Sequence, residues 1–180
     1  MTNTLRVFGK KAAVFVFLFD LLKAIVSVLL ARWGINLFFK EALVGPNFDI
    51  VSMSLYGQYL AGLGAVLGHN FPVYFRFRGG KGILASWGVI MILDWRIALM
   101  LIVVFVLLVA VTRYVSLASI AVSILYPLFV IALNVGNPGT TTWYYVGLSL
   151  VMSALAVYRH RTNIIRLTTG TESKLGAKKE

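Results

Sequence analysis

The sequence predicts an all-α, polytopic integral membrane bundle of about six transmembrane helices, with the N- and C-termini both cytoplasmic. Three observations lead there. Hydrophobic residues make up 59% of the 180 residues, against ~45–50% in soluble domains. Charged residues are 13% of the chain, about half the usual ~25% and too few to coat a water-soluble globule. The apolar residues gather in long runs separated by short loops, and mean hydropathy is +0.87. A soluble globule, a disordered tail and a fibrous repeat are excluded at this level.

A helix that crosses a bilayer needs ~20 mostly apolar residues. The first run is Ala12 to Trp33. It follows basic Arg6, Lys10 and Lys11 and reads as a first transmembrane helix, because it is of spanning length and lacks a small-residue cleavage site. The second run is Ile50 to Leu67. The third and fourth, Ile83 to Leu93 and Ile97 to Val111, are separated by Asp94-Trp95-Arg96. The fifth is Val115 to Leu133 and the sixth Thr142 to Tyr158. With no linker, repeat or low-complexity stretch, residues 1–180 read as a single membrane-embedded domain.

The third run alone is too short to cross a ~30 Å hydrocarbon core. Either Asp94-Trp95-Arg96 is a tight turn or residues 83–111 form one interrupted helix. Charge placement decides for the turn. It puts Arg6, Lys10, Lys11, Arg76, Arg78, Lys81, Arg113, Arg159, Arg161, Arg166, Lys174, Lys178 and Lys179 on one side. Arg32, Lys40 and Arg96 fall on the other, offset by Glu41, Asp49 and Asp94. Cytoplasmic loops of membrane proteins collect Lys and Arg, which marks the first side as cytoplasmic. The loop Asn134 to Thr142 carries no charge and leads into Trp143, Tyr144 and Tyr145, as an outer aromatic belt would. The same rule accounts for the net charge of +11 without any nucleic acid.

Two features lie within the runs. Asp20 and Lys23 share a helix face at i, i+3. A lone charge at the bilayer centre costs at least ~2.5 kcal/mol, so an internal salt bridge is favoured over a polar cavity wall. In the second run Gly57, Ala61 and Ala65, and Gly64 with Gly68, are small residues four apart that let helices approach closely.

There is no cysteine, hence no disulfide and no thiolate chemistry. His69 and His160 are too far apart in sequence to suggest a zinc site. No Cys-based metal site is expected.

Three segments on the cytoplasmic side carry chemistry. The first is Thr2-Asn3-Thr4-Leu5-Arg6-Val7-Phe8-Gly9-Lys10-Lys11. The second is Gly68-His69-Asn70-Phe71-Pro72 with Phe77-Arg78-Gly79-Gly80-Lys81-Gly82. The third runs from Tyr158 through Arg159, His160, Arg161, Asn163 and Arg166 to Gly170 and Glu172. Glycines let backbone amides approach an anion. Gly79-Gly80-Lys81-Gly82 also leads into a helix N-terminus, which favours negative charge. It reads as a phosphate cradle, with a flexible basic turn as the plainer reading. It is not a Walker loop, since the upstream glycine and the following Ser/Thr are absent. His160 can exchange protons near neutral pH, and Asn163 would share its face on a helical turn. Arg159, Arg161 and Arg166 have planar forks suited to phosphate. A basic tail attracted to anionic lipid explains Lys178 and Lys179 but requires neither His160 nor Asn163.

These residues resemble the bacterial glycerol-3-phosphate acyltransferases that use acyl-phosphate as donor. The likeness rests on Thr2-Asn3, Leu5-Arg6 and Gly9-Lys10-Lys11; Asp20 with Leu22-Lys23; Gly68-His69, Phe71-Pro72, Phe77 and Gly79-Gly80-Lys81-Gly82; and Arg159-His160, Asn163-Ile164, Arg166-Leu167, Gly170, Glu172 and Lys174. The resemblance implies an inner-membrane enzyme with its active site facing the cytoplasm. It would move a fatty acyl group from acyl-phosphate to glycerol 3-phosphate, giving lysophosphatidic acid and phosphate for phospholipid synthesis. Its partners would be those two substrates and membrane lipid, and no metal or organic cofactor is implied. By the same resemblance Arg6 and Lys81 bind phosphate, and Gly79, Gly80 and Gly82 shape the phosphate pocket. His160 and Asn163, with Lys81, are the catalytic set. His69, Asn3 and Glu172 support the loops. Family members carry a further helix ending in Ser-Gly-Asn ahead of the Thr-Asn that matches residues 2 and 3, and this sequence begins inside that motif. A small transporter of phosphate esters, or an inactive truncated paralogue, is the alternative expectation.

Overall fold

Residues 83–111 are not one continuous helix: the chain leaves the helical conformation at Asp94. The computed structural model ends one helix at Leu93 and begins the next at Trp95, with Asp94 extended between them (φ −154°, ψ 97°). The Asp94 carboxylate accepts the Arg96 backbone N–H at 3.0 Å, an N-cap contact, and takes the Arg96 guanidinium through two further bonds of 3.0 and 2.8 Å. The Arg96 bonds outweigh partial burial and hold the Asp94 carboxyl below its ordinary pKa. A charged pair that satisfies its own helix start can end one apolar helix and begin the next.

The structure describes residues 2–38, 50–134, 136, 139 and 141–176. Lys40, Glu41, Asp49, Lys178 and Lys179 lie outside them. Among the described residues all regular structure is helical: α1 (Thr2–Phe38), α2 (Ile50–Asn70), α3 (Ile83–Leu93), α4 (Trp95–Thr112), α5 (Val115–Asn134), α6 (Thr142–Arg159) and α7 (Arg161–Thr168), with a 3₁₀ turn at Val73–Phe75. Val7–Phe38, Trp95–Thr112 and Val115–Asn134 are each long and apolar enough to cross a membrane. The large apolar side chains left exposed on them, such as Phe15, Phe19, Val106, Leu107 and Leu128, suit a lipid surround rather than water.

The chain forms two compact units, Met1–Leu93 and Asp94–Glu180. In the first, α1 packs on both α2 and α3, and α2 also meets α3. The core is made of small groups. Ala24, Val28, Ala85 and Val89 are fully buried. A Cβ at Gly88 would come within 3.1 Å of Leu21 and 3.3 Å of Ala24 on α1. Of the small residues expected to pack in α2, Gly57 abuts Ile35 and the Ala61 carbonyl accepts Ser27 Oγ at 3.2 Å, so this stripe faces α1. Gly64 and Gly68 have nothing within 4 Å of a built Cβ; Gly62, which the four-residue spacing passes over, meets Val89 of α3 instead. Helix α1 also starts earlier than the apolar run. It is broken at Gly9, whose φ of 79° and ψ of −176° leave the helical region. Glycine occupies such a conformation without the Cβ penalty other residues incur.

In the second unit α5 is central, packed on α4 and α6, while α7 touches α5 and α6. Ser119 and Ser123 bury their hydroxyls by bonding back to carbonyls of α5, which removes the cost of burying them unpaired. Tyr126 and Tyr145 pack edge to face at 6.3 Å.

Candidate functional site

The second motif folds into a tight bend on the first unit. Helix α2 carries His69 and Asn70 at its end. The chain then closes through Phe75 N–H to the Pro72 carbonyl, Arg76 N–H to that of Val73 and Phe77 N–H to that of Pro72, at 3.0–3.1 Å. Arg76 and Phe77 both lie in the left-handed region, at φ of 52° and 59°. Two consecutive non-glycine residues there represent stored strain.

Glycines 79, 80 and 82 are present because the chain returns against the end of α2. Gly80 N–H donates to the His69 carbonyl at 3.1 Å. A Cβ at Gly79 would overlap that carbonyl and lie 2.8 Å from the Asn70 carbonyl. A Cβ at Gly80 would overlap His69 Nε2 and lie 2.7 Å from Cε1. Gly82 has φ of 81°, and its Cβ would stand 2.7 Å from Asn70 Oδ1. The Gly82 carbonyl then accepts Ser86 N–H at 2.7 Å, opening α3. The first amides of a helix have no acceptor inside it and carry its positive dipole end. Half-buried Lys81 stands beside that end. Asn70 is fully buried, and neither atom of its amide has a hydrogen-bond partner.

Asp20 and Lys23 pair as expected, with Lys23 Nζ donating to Asp20 Oδ1 at 2.6 Å. The pair does not stand alone: Lys23 Nζ is also 2.7 Å from His69 Nδ1, and Asp20 Oδ1 is 3.2 Å from it. A pocket of about 250 Å³ lies among Lys23, Ser27, Ala65, Gly68, His69 and Tyr74.

The third motif is built on the second unit. His160 ends α6 and precedes α7, and it is 2% exposed. Its Nδ1 is 2.7 Å from the Ala156 carbonyl. A carbonyl only accepts, so Nδ1 is the donor in this contact. The His160 carbonyl accepts Asn163 N–H at 2.8 Å, which starts α7. Asn163 is 4% exposed, and its Nδ2 donates to Glu172 Oε1 at 2.8 Å. The same oxygen accepts Ser116 Oγ at 2.7 Å, and Arg166 Nε donates to Oε2 at 2.7 Å. Burial raises the Glu172 pKa, but the bonds from Arg166, Ser116 and Asn163 outweigh it and leave the carboxyl below its ordinary value. Gly170, at φ of 70°, turns the chain so that Thr171 and Glu172 N–H groups reach the Arg166 carbonyl. This left-handed close of a helix is glycine's usual place.

Lys81, Gly79, Gly80, Gly82 and His69 therefore gather on the first unit, and His160, Asn163 and Glu172 on the second. Arg6 and Asn3 lie on the first turns of α1; their side chains are outside the described residues. Two of the arginines read as suited to phosphate have partners within the fold. Arg166 directs its Nε to Glu172, because a nearby carboxylate holds it. Arg161 lies over the Tyr158 ring at 4.6 Å. Two partners were missed. Ser116 has no signal in the sequence, as a serine in an apolar run. The link from His69 to the Asp20–Lys23 pair spans 46 positions, and no local spacing announces it.

A family model described as glycerol-3-phosphate acyltransferase matches residues 1–170. Similar proteins described as glycerol-3-phosphate acyltransferase occur in Thermoanaerobacter sp. (strain X514), 40% identical over 99% of this chain and 78% of the relative, and in Clostridioides difficile (strain 630), 39% identical over the same shares. Crystal structures of PlsY (YgiH), an integral membrane glycerol 3-phosphate acyltransferase, are also similar. Its glycerol 3-phosphate form matches 97% of this chain and 76% of that one at 34% identity, with a TM-score of 0.77. Its lysophosphatidic acid form gives 0.76 at the same identity.

Proposed function

The chain belongs to the glycerol-3-phosphate acyltransferase family, and from that premise we propose that it acylates glycerol 3-phosphate with acyl-phosphate as donor. It is an integral membrane acyltransferase. The observation that carries the reading is its likeness, over nearly the whole chain, to an enzyme solved in glycerol 3-phosphate and lysophosphatidic acid forms. Those two molecules are the acceptor and the acylated product of one reaction.

The chemistry needs little beyond positioning. The primary hydroxyl of glycerol 3-phosphate attacks the acyl carbonyl. A new ester C–O bond forms, the bond from acyl carbon to phosphate oxygen breaks, and inorganic phosphate leaves. The hydroxyl proton goes to a phosphate oxygen. Phosphate is a good leaving group, so orientation and charge stabilisation carry the rate. In this reading Arg6 and Lys81 hold phosphate at the N-terminus of α3, in a pocket that Gly79, Gly80 and Gly82 shape. His160 and Asn163 orient the acceptor. Glu172 fixes the Asn163 amide. We assign the reaction to the cytoplasmic face of the inner membrane, where the basic loops belong by the positive-inside rule.

The experiment is direct. Purified protein in lipid nanodiscs, given acyl-phosphate and labelled glycerol 3-phosphate, forms labelled lysophosphatidic acid and releases phosphate; acyl-CoA in place of acyl-phosphate gives none. Product from acyl-CoA alone overturns the donor assignment, and product from neither donor overturns the function.

A further inference from the structure

The Asp20–Lys23 pair does more in the fold than neutralise itself. An ammonium group has hydrogens to give and no lone pair. At 2.7 Å from Lys23 Nζ, His69 Nδ1 is therefore the acceptor, and the ring's proton sits on Nε2. With Nδ1 unprotonated, the 3.2 Å approach of Asp20 Oδ1 is a contact and not a hydrogen bond. Asp20 acts instead on Lys23, anchoring the ammonium at 2.6 Å. The far edge of the same ring lies against Gly80, so closely that Nε2, Cε1 and Cδ2 occupy the space a Cβ would need. The His69 carbonyl meanwhile accepts the Gly80 N–H at 3.1 Å. One residue thus grips α1 through its ring nitrogen, and the glycine loop through its other ring edge and its backbone.

We propose that Asp20 and Lys23 are positioning residues: they set the His69 ring against Gly80 and thereby fix the Gly79–Gly82 loop in the shape that receives the phosphate of glycerol 3-phosphate. The inference rests on the acyltransferase reading and extends it to two charged residues of α1. Neither touches substrate. Their influence passes through His69, whose ring is held at both ends. A site held by a supporting shell binds its ligand with less reorganisation.

The test separates positioning from plain stabilisation. Asp20→Asn and Lys23→Met are assayed in nanodiscs with saturating acyl-phosphate and varied glycerol 3-phosphate. KM for glycerol 3-phosphate rises about tenfold, the size expected for losing one well-placed polar contact, while kcat changes far less. Lys23→Arg, which keeps a donor cation, restores most of the affinity. A merely structural pair would instead lower the melting temperature and the active fraction, hence kcat, and leave KM unchanged; that result overturns the proposal. A second measurement does not depend on either variant folding. Gly80→Ala raises KM in the wild-type background, where the new methyl meets the ring, and adds little in His69→Ala, where the ring is gone. Independent, additive effects of the two changes overturn the link through His69. If the wild-type protein acylates no glycerol 3-phosphate, the functional reading fails and this inference with it; an active wild type with unchanged KM in the variants removes this inference alone.

Discussion

Glu172 shows how one side chain can govern a site it does not form. Its carboxylate takes Ser116 from the start of α5, and Asn163 and Arg166 from α7. Removing it would strand buried donors, each costing about 1–3 kcal/mol. Glu172→Ala is accordingly expected to lower the melting temperature and cut lysophosphatidic acid formation severely, while Glu172→Gln, which keeps one acceptor oxygen, does less damage. The pH dependence follows from the direction of its shift. The folded carboxyl lies below its ordinary value. Its stabilisation is therefore fully present above the unfolded pKa and disappears as pH falls through the lower, folded one. Limited proteolysis of the tail in Glu172→Gln and wild type should diverge at neutral pH and converge only in acid, below the ordinary carboxyl range. Divergence that persists in strong acid would show that the carboxylate charge is not the brace.

At the scale of elements, the joints are chemical and the spans are generic. Helix α4 starts where Asp94 caps it and can be weakened there. Asp94→Ala removes the N-cap and leaves Arg96 without its carboxylate, and loss of a cap costs about 1 kcal/mol. A thermal unfolding assay should show a modest fall in melting temperature, and Asp94→Asn, also a good cap, should recover most of it. An Asp94→Ala protein as stable as wild type would mean that the flanking helices set the turn without the cap. The break in α1 at Gly9 and the left-handed close of α7 at Gly170 belong to the same class. In each, a glycine lets the backbone leave the helix where a side chain would oppose it.

For the whole molecule, the basic loops predict the orientation in the bilayer, and the absence of cysteine makes it simple to measure. Tyr74 is 85% exposed in the loop between α2 and α3, and Gly136 is exposed between α5 and α6. In intact cells a membrane-impermeant maleimide should label Gly136→Cys and spare Tyr74→Cys until the membrane is opened. The reverse pattern would invert the topology and put the glycine loop on the outer face.

Much of this protein was legible before any coordinates. Long apolar runs determined an all-helical membrane protein, because a bilayer leaves spanning backbone groups no water to bond and a run of ~20 apolar residues satisfies them as a helix. Charge bias favoured a break at Asp94 over one helix through residues 83–111, and the helices do end and start there. The glycines, His160, Asn163 and Glu172 stood out as residues that an ordinary membrane loop has no use for. Only the tertiary structure decided what those residues touch. The glycines proved to be spaces for the end of α2, Arg166 turned to Glu172, Ser116 joined it from an apolar run, and His69 closed on a charged pair 46 positions away. Burial and apolar patterning act over a few residues and can be read along the chain. A hydrogen bond between distant residues depends on how helices pack, and packing is a property of the folded molecule.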